Sequence, residues 1–252
     1  MNESDRHEPI LRTEGLTKRF GEFAAVENVD LTFDSGELRG LIGPNGAGKT
    51  TLFYLLSGLL SPTAGRVVLD GEDVTGFSPD RIARRGMTVA FQITSIFPGL
   101  TVVENVVGGL NGQRRGLDPF GRYDSPEARA EAVTVLERVG LADQADRTAG
   151  DLAHGDQRAL ELALALAGDP DVLLLDEPTA GLSRPETREM VALIETLADE
   201  TTVVLVEHDV DLVMGLVDSL TVVHDGEIIA EGSPDEIREN RTVENVYLGR
   251  QE

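Results

Sequence analysis

Apolar positions fall into three regimes along the chain. Near the start, "ILRTEGLTKRF" and "AAVENVDLTF" alternate apolar and polar positions on either side of a break at Gly21, which predicts two antiparallel strands. "LRGLIG" reads as a short buried strand, and after a glycine-rich turn "KTTLFYLLSGLL" has helical spacing. "GRVVLDGEDVTGF" predicts a hairpin around Asp70-Gly71, and "PDRIARRG" a short helix. From about Ser95 to Ala167 the pattern is mostly helical: "TVVENVVGGL", a polar Gly/Arg/Pro-rich loop over 111–126, "PEARAEAVTVLERVGL" and "GDLAHGDQRALELALAL". Strand and helix patterns then alternate through "DVLLLDE", "PETREMVALIETLAD", "TTVVLVEH", "VDLVMGLVD", "SLTVVHDG" and "EIIAEGS", ending in polar helix and "VENVYLG".

That order predicts an α/β fold in one domain over 1–252. Its core spans 10–94 and 168–252, with an antiparallel β subdomain at the start and an inserted helical lobe at about 95–167. Composition narrows the partners. There are 45 acidic against 22 basic residues, a formal net charge of −23 spread along the chain, which argues against nucleic acid, since phosphate backbones need clustered Lys and Arg. Only Lys18 and Lys49 are lysines. An acidic, lysine-poor surface suits high salt, where repulsion is screened and hydrated carboxylates keep the chain in solution; a GC-rich genome is the other source of the arginine bias. Cysteine is absent, which excludes disulfides, thiolate metal ligands and a thiol nucleophile. No apolar run approaches the ~20 residues that span a bilayer, and the polar start is unlike a signal peptide, so membrane association is expected only through a partner.

Two motifs carry chemistry. "GPNGAGKTT" (Gly43, Pro44, Asn45, Gly46, Ala47, Gly48, Lys49, Thr50, Thr51) matches G-x-x-x-x-G-K-[ST] between a strand and a helix. Its glycines let the backbone wrap phosphates, the helix start offers free N–H groups, Lys49 neutralises the β- and γ-phosphates, and Thr50 can ligate Mg²⁺. These features define the core as a P-loop nucleotide site. "DVLLLDEP" is an apolar strand ending in two acids: Asp176 can hold Mg²⁺ through water, and Glu177 can orient or deprotonate an attacking water.

With these motifs in order, the chain resembles the nucleotide-binding subunit of ATP-binding-cassette (ABC) transporters from about residue 10 to the end. The resemblance implies ATP and Mg²⁺ as ligands and ATP hydrolysis as the activity. It also implies roles for further residues: Phe20 in "KRFG" stacks on adenine with Val26 nearby, Gln92 in "AFQ" reaches Mg²⁺ and the attacking water, and His208 in "VEHD" contacts the γ-phosphate. The stretches "GPNGAGKTTLFYLLSG", "DEPTAGLSRPET" and the closing "VYLG" resemble the subfamily serving uptake of branched-chain amino acids and of urea or short amides. Another transporter class, or a soluble cassette ATPase, is the alternative.

By that resemblance the subunit lies on the cytoplasmic side of the membrane, docked under permease subunits fed by an external solute-binding protein. It pairs head to tail with a second cassette. The docking groove is expected near "QITSIFPGLT", whose Ile93, Ile96, Phe97 and Leu100 are either an exposed contact or the lobe's own core.

One stretch departs from the family pattern. Where the family has Leu-Ser-Gly-Gly-Gln, a turn that caps the γ-phosphate on the other subunit, this chain has Leu152, Ala153, His154, Gly155 and Asp156. Ala153 lacks the hydroxyl, a loss of roughly 1.5–3 kcal/mol for a hydrogen bond to a charged group. Asp156 adds a carboxylate that either repels the phosphate or merely favours the helix start. The asymmetry points to a heterodimer whose second cassette has a complete turn, with a homodimer as the alternative.

Overall fold

The computed structural model describes residues 9–90, 96–113 and 125–248. The chain opens with β1 (Leu11–Phe20), β2 (Phe23–Phe33) and β3 (Leu38–Ile42), then α1 (Lys49–Leu56), β4 (Ala64–Leu69), β5 (Glu72–Asp73), α2 (Pro79–Ala83) and β6 (Met87–Ala90). Three helices follow, α3 (Val102–Gln113), α4 (Pro126–Arg138) and α5 (His154–Leu166). Alternation resumes with β7 (Val172–Asp176), α6 (Arg184–Ala198), β8 (Thr202–Val206), α7 (Val210–Leu216), β9 (Ser219–His224) and β10 (Glu227–Gly232), and the described chain closes with α8 (Pro234–Arg238) and α9 (Arg241–Leu248).

The strands form two sheets. An antiparallel one has the order β2-β1-β4-β5; a mixed one has the order β10-β9-β3-β8-β7-β6, parallel except at β10. In β7 every residue is buried because both faces of the sheet are covered. Val172 and Leu174 face a core shared with the antiparallel sheet and α1, while Leu173 and Leu175 face a second core shared with α3 to α7. Period two thus divides one apolar run between two cores.

The helices of 102–166 pack on one another through stripes such as Val102, Val106 and Leu110 on α3 and Ala128, Ala132 and Leu136 on α4. Their core is continuous with that of the sheet, since α5 runs from the far end of this cluster to β6, where Thr88 Oγ1 donates to the Ala165 carbonyl at 3.0 Å. Among the described residues no helix is long and apolar enough to cross a membrane.

Because β8 lies between β3 and β7, the segments that follow these three strands emerge side by side at one edge of the sheet. This is the edge where ligands meet open α/β sheets.

Candidate active site

The loop after β3 leads into α1 through Gly48, which takes φ 105° and leaves the helix start without a side-chain cap or an acidic residue in its first turn. An uncapped N-terminus of this kind is suited to an anion. Gly48 is fixed by a neighbour: Lys18 pairs with Val26 and Arg19 with Ala24, so Ala25 is an extra, bulged residue in β2. A β-carbon on Gly48 would collide with the Ala25 carbonyl. The β9–β10 turn ties the same parts together, as Gly226 N–H donates to Ala47 at 2.8 Å and the Gly226 carbonyl accepts from Glu27 N–H at 2.8 Å.

Lys49 is buried, with Nζ donating to the carbonyls of Gly43 at 2.6 Å and Pro44 at 3.1 Å. Burial pulls its pKa down, opposed by Glu177 nearby. The ammonium is therefore held inside the loop by two weak acceptors, where a phosphate is a much stronger partner.

The acids sit at the ends of the adjoining strands. Asp176 closes β7 and is buried; burial, then the charges of Glu177 and Glu207, raises its pKa to about 6 in spite of His208. Glu177 adopts φ 51°, rare for a residue with a side chain, and its N–H donates to the Val206 carbonyl at 2.8 Å. Its Oε1 lies 2.7 Å from Nε2 of His208, so carboxylate and imidazole face one another. Glu207, buried just after β8, accepts from Thr179 N–H at 2.9 Å and Thr179 Oγ1 at 2.6 Å, and from His208 N–H at 3.2 Å. A cavity of about 230 Å³ joins the parts, lined among others by Phe23, Asn45, Lys49, Thr50, Glu177 and His208.

Asp176, buried and with its carboxyl pushed up to about 6 by burial and by Glu177 and Glu207, and the Thr50 hydroxyl at the α1 start offer the oxygen ligands that a hard divalent cation takes. Mg²⁺ bound there would neutralise phosphate charge.

The remaining sequence-predicted residues are placed as follows. Phe20 ends β1, 52% exposed, with Lys18 Nζ 5.3 Å from its ring; it pairs across the strand with Phe23, which is 65% exposed and, unlike Phe20, lines the cavity. Val26 needs correcting as a nucleotide contact. Its side chain is fully buried in the core under the antiparallel sheet, and the bulge leaves Ala25 on the cavity wall instead. Gln92 and Ile93 lie outside the described residues. Ile96 packs on the core, whereas Phe97 and Leu100 are exposed.

The altered turn is apart from this cavity. Ala153 is the N-cap of α5 and bonds through no side chain. Gly155 and Asp156 line a separate cleft of about 260 Å³ with Glu186 and Glu189. Asp156 accepts from the Gln144 side-chain amide at 3.0 Å, so its carboxylate is engaged with the helical lobe.

Sequence reasoning missed Phe23, Glu207 and Ala25. An aromatic three residues beyond Phe20 across a Gly-Glu turn is a usable sign of Phe23, and an acid directly after the apolar run "VVLV" is one of Glu207. The bulge left no sign, because register is a property of the pair of strands.

Phosphate loop, strand-end acids and histidine on one sheet edge define a P-loop nucleotide hydrolase. A family model described as "ABC transporter" matches residues 26–180, and the chain belongs to that family of ATP-hydrolysing cassettes. It is 43% identical over 251 residues to the high-affinity branched-chain amino acid transport ATP-binding protein LivG of Escherichia coli K12, covering 96% of this chain and 98% of that protein. BraF of Pseudomonas aeruginosa, with the same description, is 43% identical over 253 residues with the same coverage. The lipopolysaccharide export system ATP-binding protein LptB of Haemophilus influenzae is 36% identical over 243 residues, covering 96% and 98%. Among solved structures, the ADP conformation of an ATP-binding cassette of an ABC transporter superposes with TM-score 0.84 at 31% identity, covering 97% of this chain and all of that one. A dimeric bacterial ABC transporter cassette gives TM-score 0.74 at 29% identity, covering 89% and 98%.

Proposed function

We propose that this chain is the energy-coupling ATPase of an importer for branched-chain amino acids, held against the cytoplasmic face of the membrane by two permease subunits. The observation that carries the transporter class is the 43% identity to LivG and BraF along nearly the whole of both chains, against 36% to the exporter component. Urea or short amides are the second solute reading.

In the chemistry proposed, the loop amides and Lys49 hold the β- and γ-phosphates, and Thr50 and Asp176, with Gln92 by the family resemblance, would hold Mg²⁺, which would supply charge neutralisation there. Phe20 and Phe23 offer aromatic surface to the base. Glu177 takes the proton of the attacking water, with His208, 2.7 Å away, presented to the γ-phosphate. Docking of the permease is assigned to an apolar groove of about 370 Å³ lined among others by Leu59, Pro79, Ala83, Met87 and Leu164. Exposed Phe97 and Leu100 extend the apolar surface available to it.

Dimerisation is supported by the likeness to a dimeric cassette. Ala153 offers no hydroxyl to the facing nucleotide, which favours a heterodimer with a second cassette. The −23 charge and two lysines fit a high-salt cytoplasm.

The test is reconstitution in lipid vesicles with candidate permeases, second cassette and binding protein. Leucine-loaded binding protein should raise ATP hydrolysis, and Glu177→Gln should remove this subunit's share. Stimulation by urea but not leucine would change the solute. Copurification with ribosomes or DNA and no response to permeases would overturn the transport reading.

A further inference from the structure

Helix α5 begins with a deficit. Its N-cap Ala153 has the extended backbone proper to a cap, φ −62° and ψ 158°, yet no side-chain acceptor. The N–H two residues on, normally satisfied by a capping hydroxyl or carboxylate, belongs to Gly155. In this structure it donates to Glu186 Oε1 at 3.0 Å, from a different helix and 31 positions along the chain.

Glu186 is already committed at home. Its second oxygen, Oε2, accepts Ser183 N–H at 2.8 Å, the capping-box contact that starts α6. One carboxylate thus bridges the N-termini of two helices, and both favour its negative charge. Hydrogen bonds from the Ser183 side chain and from the N–H groups of Ser183 and Gly155, with His154 nearby, hold Glu186 below the usual carboxylate range, so it is ionised at neutral pH. Gly155 makes the approach possible: a β-carbon there would stand 3.0 Å from Glu186 Cγ and 3.1 Å from Oε1. The segment between Glu177 and α6 runs from the Glu207–Thr179 bonds at the catalytic edge to this bridge.

We propose that Glu186 is a positioning residue that caps α5 from outside in place of the hydroxyl Ala153 lacks, and so fixes the orientation in which the turn Leu152–Asp156 meets the facing nucleotide. The part about the facing nucleotide rests on the cassette-pair reading above. The capping itself does not.

Two readouts separate these. Amide hydrogen exchange on the full chain reports the cap directly: Glu186→Gln should speed exchange at residues 154–157 by about tenfold, the loss of one charge-assisted bond. With Ala153→Ser, whose hydroxyl accepts from the same N–H, the Glu186→Gln change should fall below about threefold. In the reconstituted transporter, Glu186→Gln should lower kcat about tenfold with KM for ATP within about twofold, and Ala153→Ser should restore most of kcat.

Unchanged exchange in Glu186→Gln overturns the capping. So does exchange that Ala153→Ser fails to rescue, or a kcat that rises because the carboxylate had been competing with phosphate. If the wild-type assembly has no ATPase while the exchange pattern holds, the transport reading fails and the capping stands.

Discussion

Asp176 illustrates a residue placed against its own preference. Its pKa is raised from 3.8 to about 6 by burial and by the neighbouring acids, so the folded chain favours the protonated form. That contribution to stability is fully present below pH 3.8 and is lost as the pH rises through about 6. Asp176→Asn keeps the neutral shape at every pH. It should therefore stabilise the nucleotide-free protein by about 1–3 kcal/mol at pH 7.5, a gain that shrinks as the pH falls toward 4, while Mg²⁺-dependent hydrolysis is lost. Thermal denaturation at several pH values checks the first part and phosphate release the second. The aromatic pair differs in kind. Phe23→Ala should raise KM for ATP by about two- to tenfold, the worth of a stacking contact, and leave the affinity for tripolyphosphate, which has no base, unchanged. Phe20→Ala should do less, because Phe23 and not Phe20 lines the cavity.

At the scale of elements, the phosphate loop is shaped as much by β2 as by its own residues. Gly48→Ala would force a side chain into φ 105° and against the Ala25 carbonyl, and backbone strain alone of this kind costs about 1–3 kcal/mol. The variant should lose at least that much stability to urea and should not bind nucleotide, whereas Gly46→Ala, with open space around its β-carbon but φ 83°, should show the strain without the collision. These elements were legible in the chain to different depths. Asp70-Gly71 announces its hairpin because the turn is local, and β7 reads as buried because five residues in a row have nowhere polar to point. The order of the strands, the bulge at Ala25, and the bridge from Glu186 to Gly155 depend on partners far along the chain, and no local pattern records them. The site divides in the same way. Gly43 to Thr51, Asp176, Glu177 and His208 stand in contiguous motifs, but Val26 fell on the wrong face of a strand whose alternation the bulge interrupts.

For the whole molecule, a net charge of −23 repels itself in dilute buffer. Screening shortens from about 10 Å at 0.1 M salt to about 3 Å at 1 M, so the melting temperature should climb by several degrees or more over that range of KCl, and an equal osmolality of sucrose should not reproduce it. A flat response would remove the high-salt reading. The path of α5 has a mechanical consequence. Its end near Ala165 is pinned to β6 by Thr88 and by shared core, while its start carries the turn from Leu152 to Asp156. The helix is therefore a lever arm with its fulcrum in the sheet: at 1.5 Å per residue, His154 lies roughly 17 Å from Ala165, and a tilt of about 10° sweeps it through about 3 Å. That stroke equals a whole hydrogen-bond length. In the cassette-pair reading proposed above, a small angular adjustment at the lobe's root would thus be enough to bring the turn to the facing nucleotide or to withdraw it.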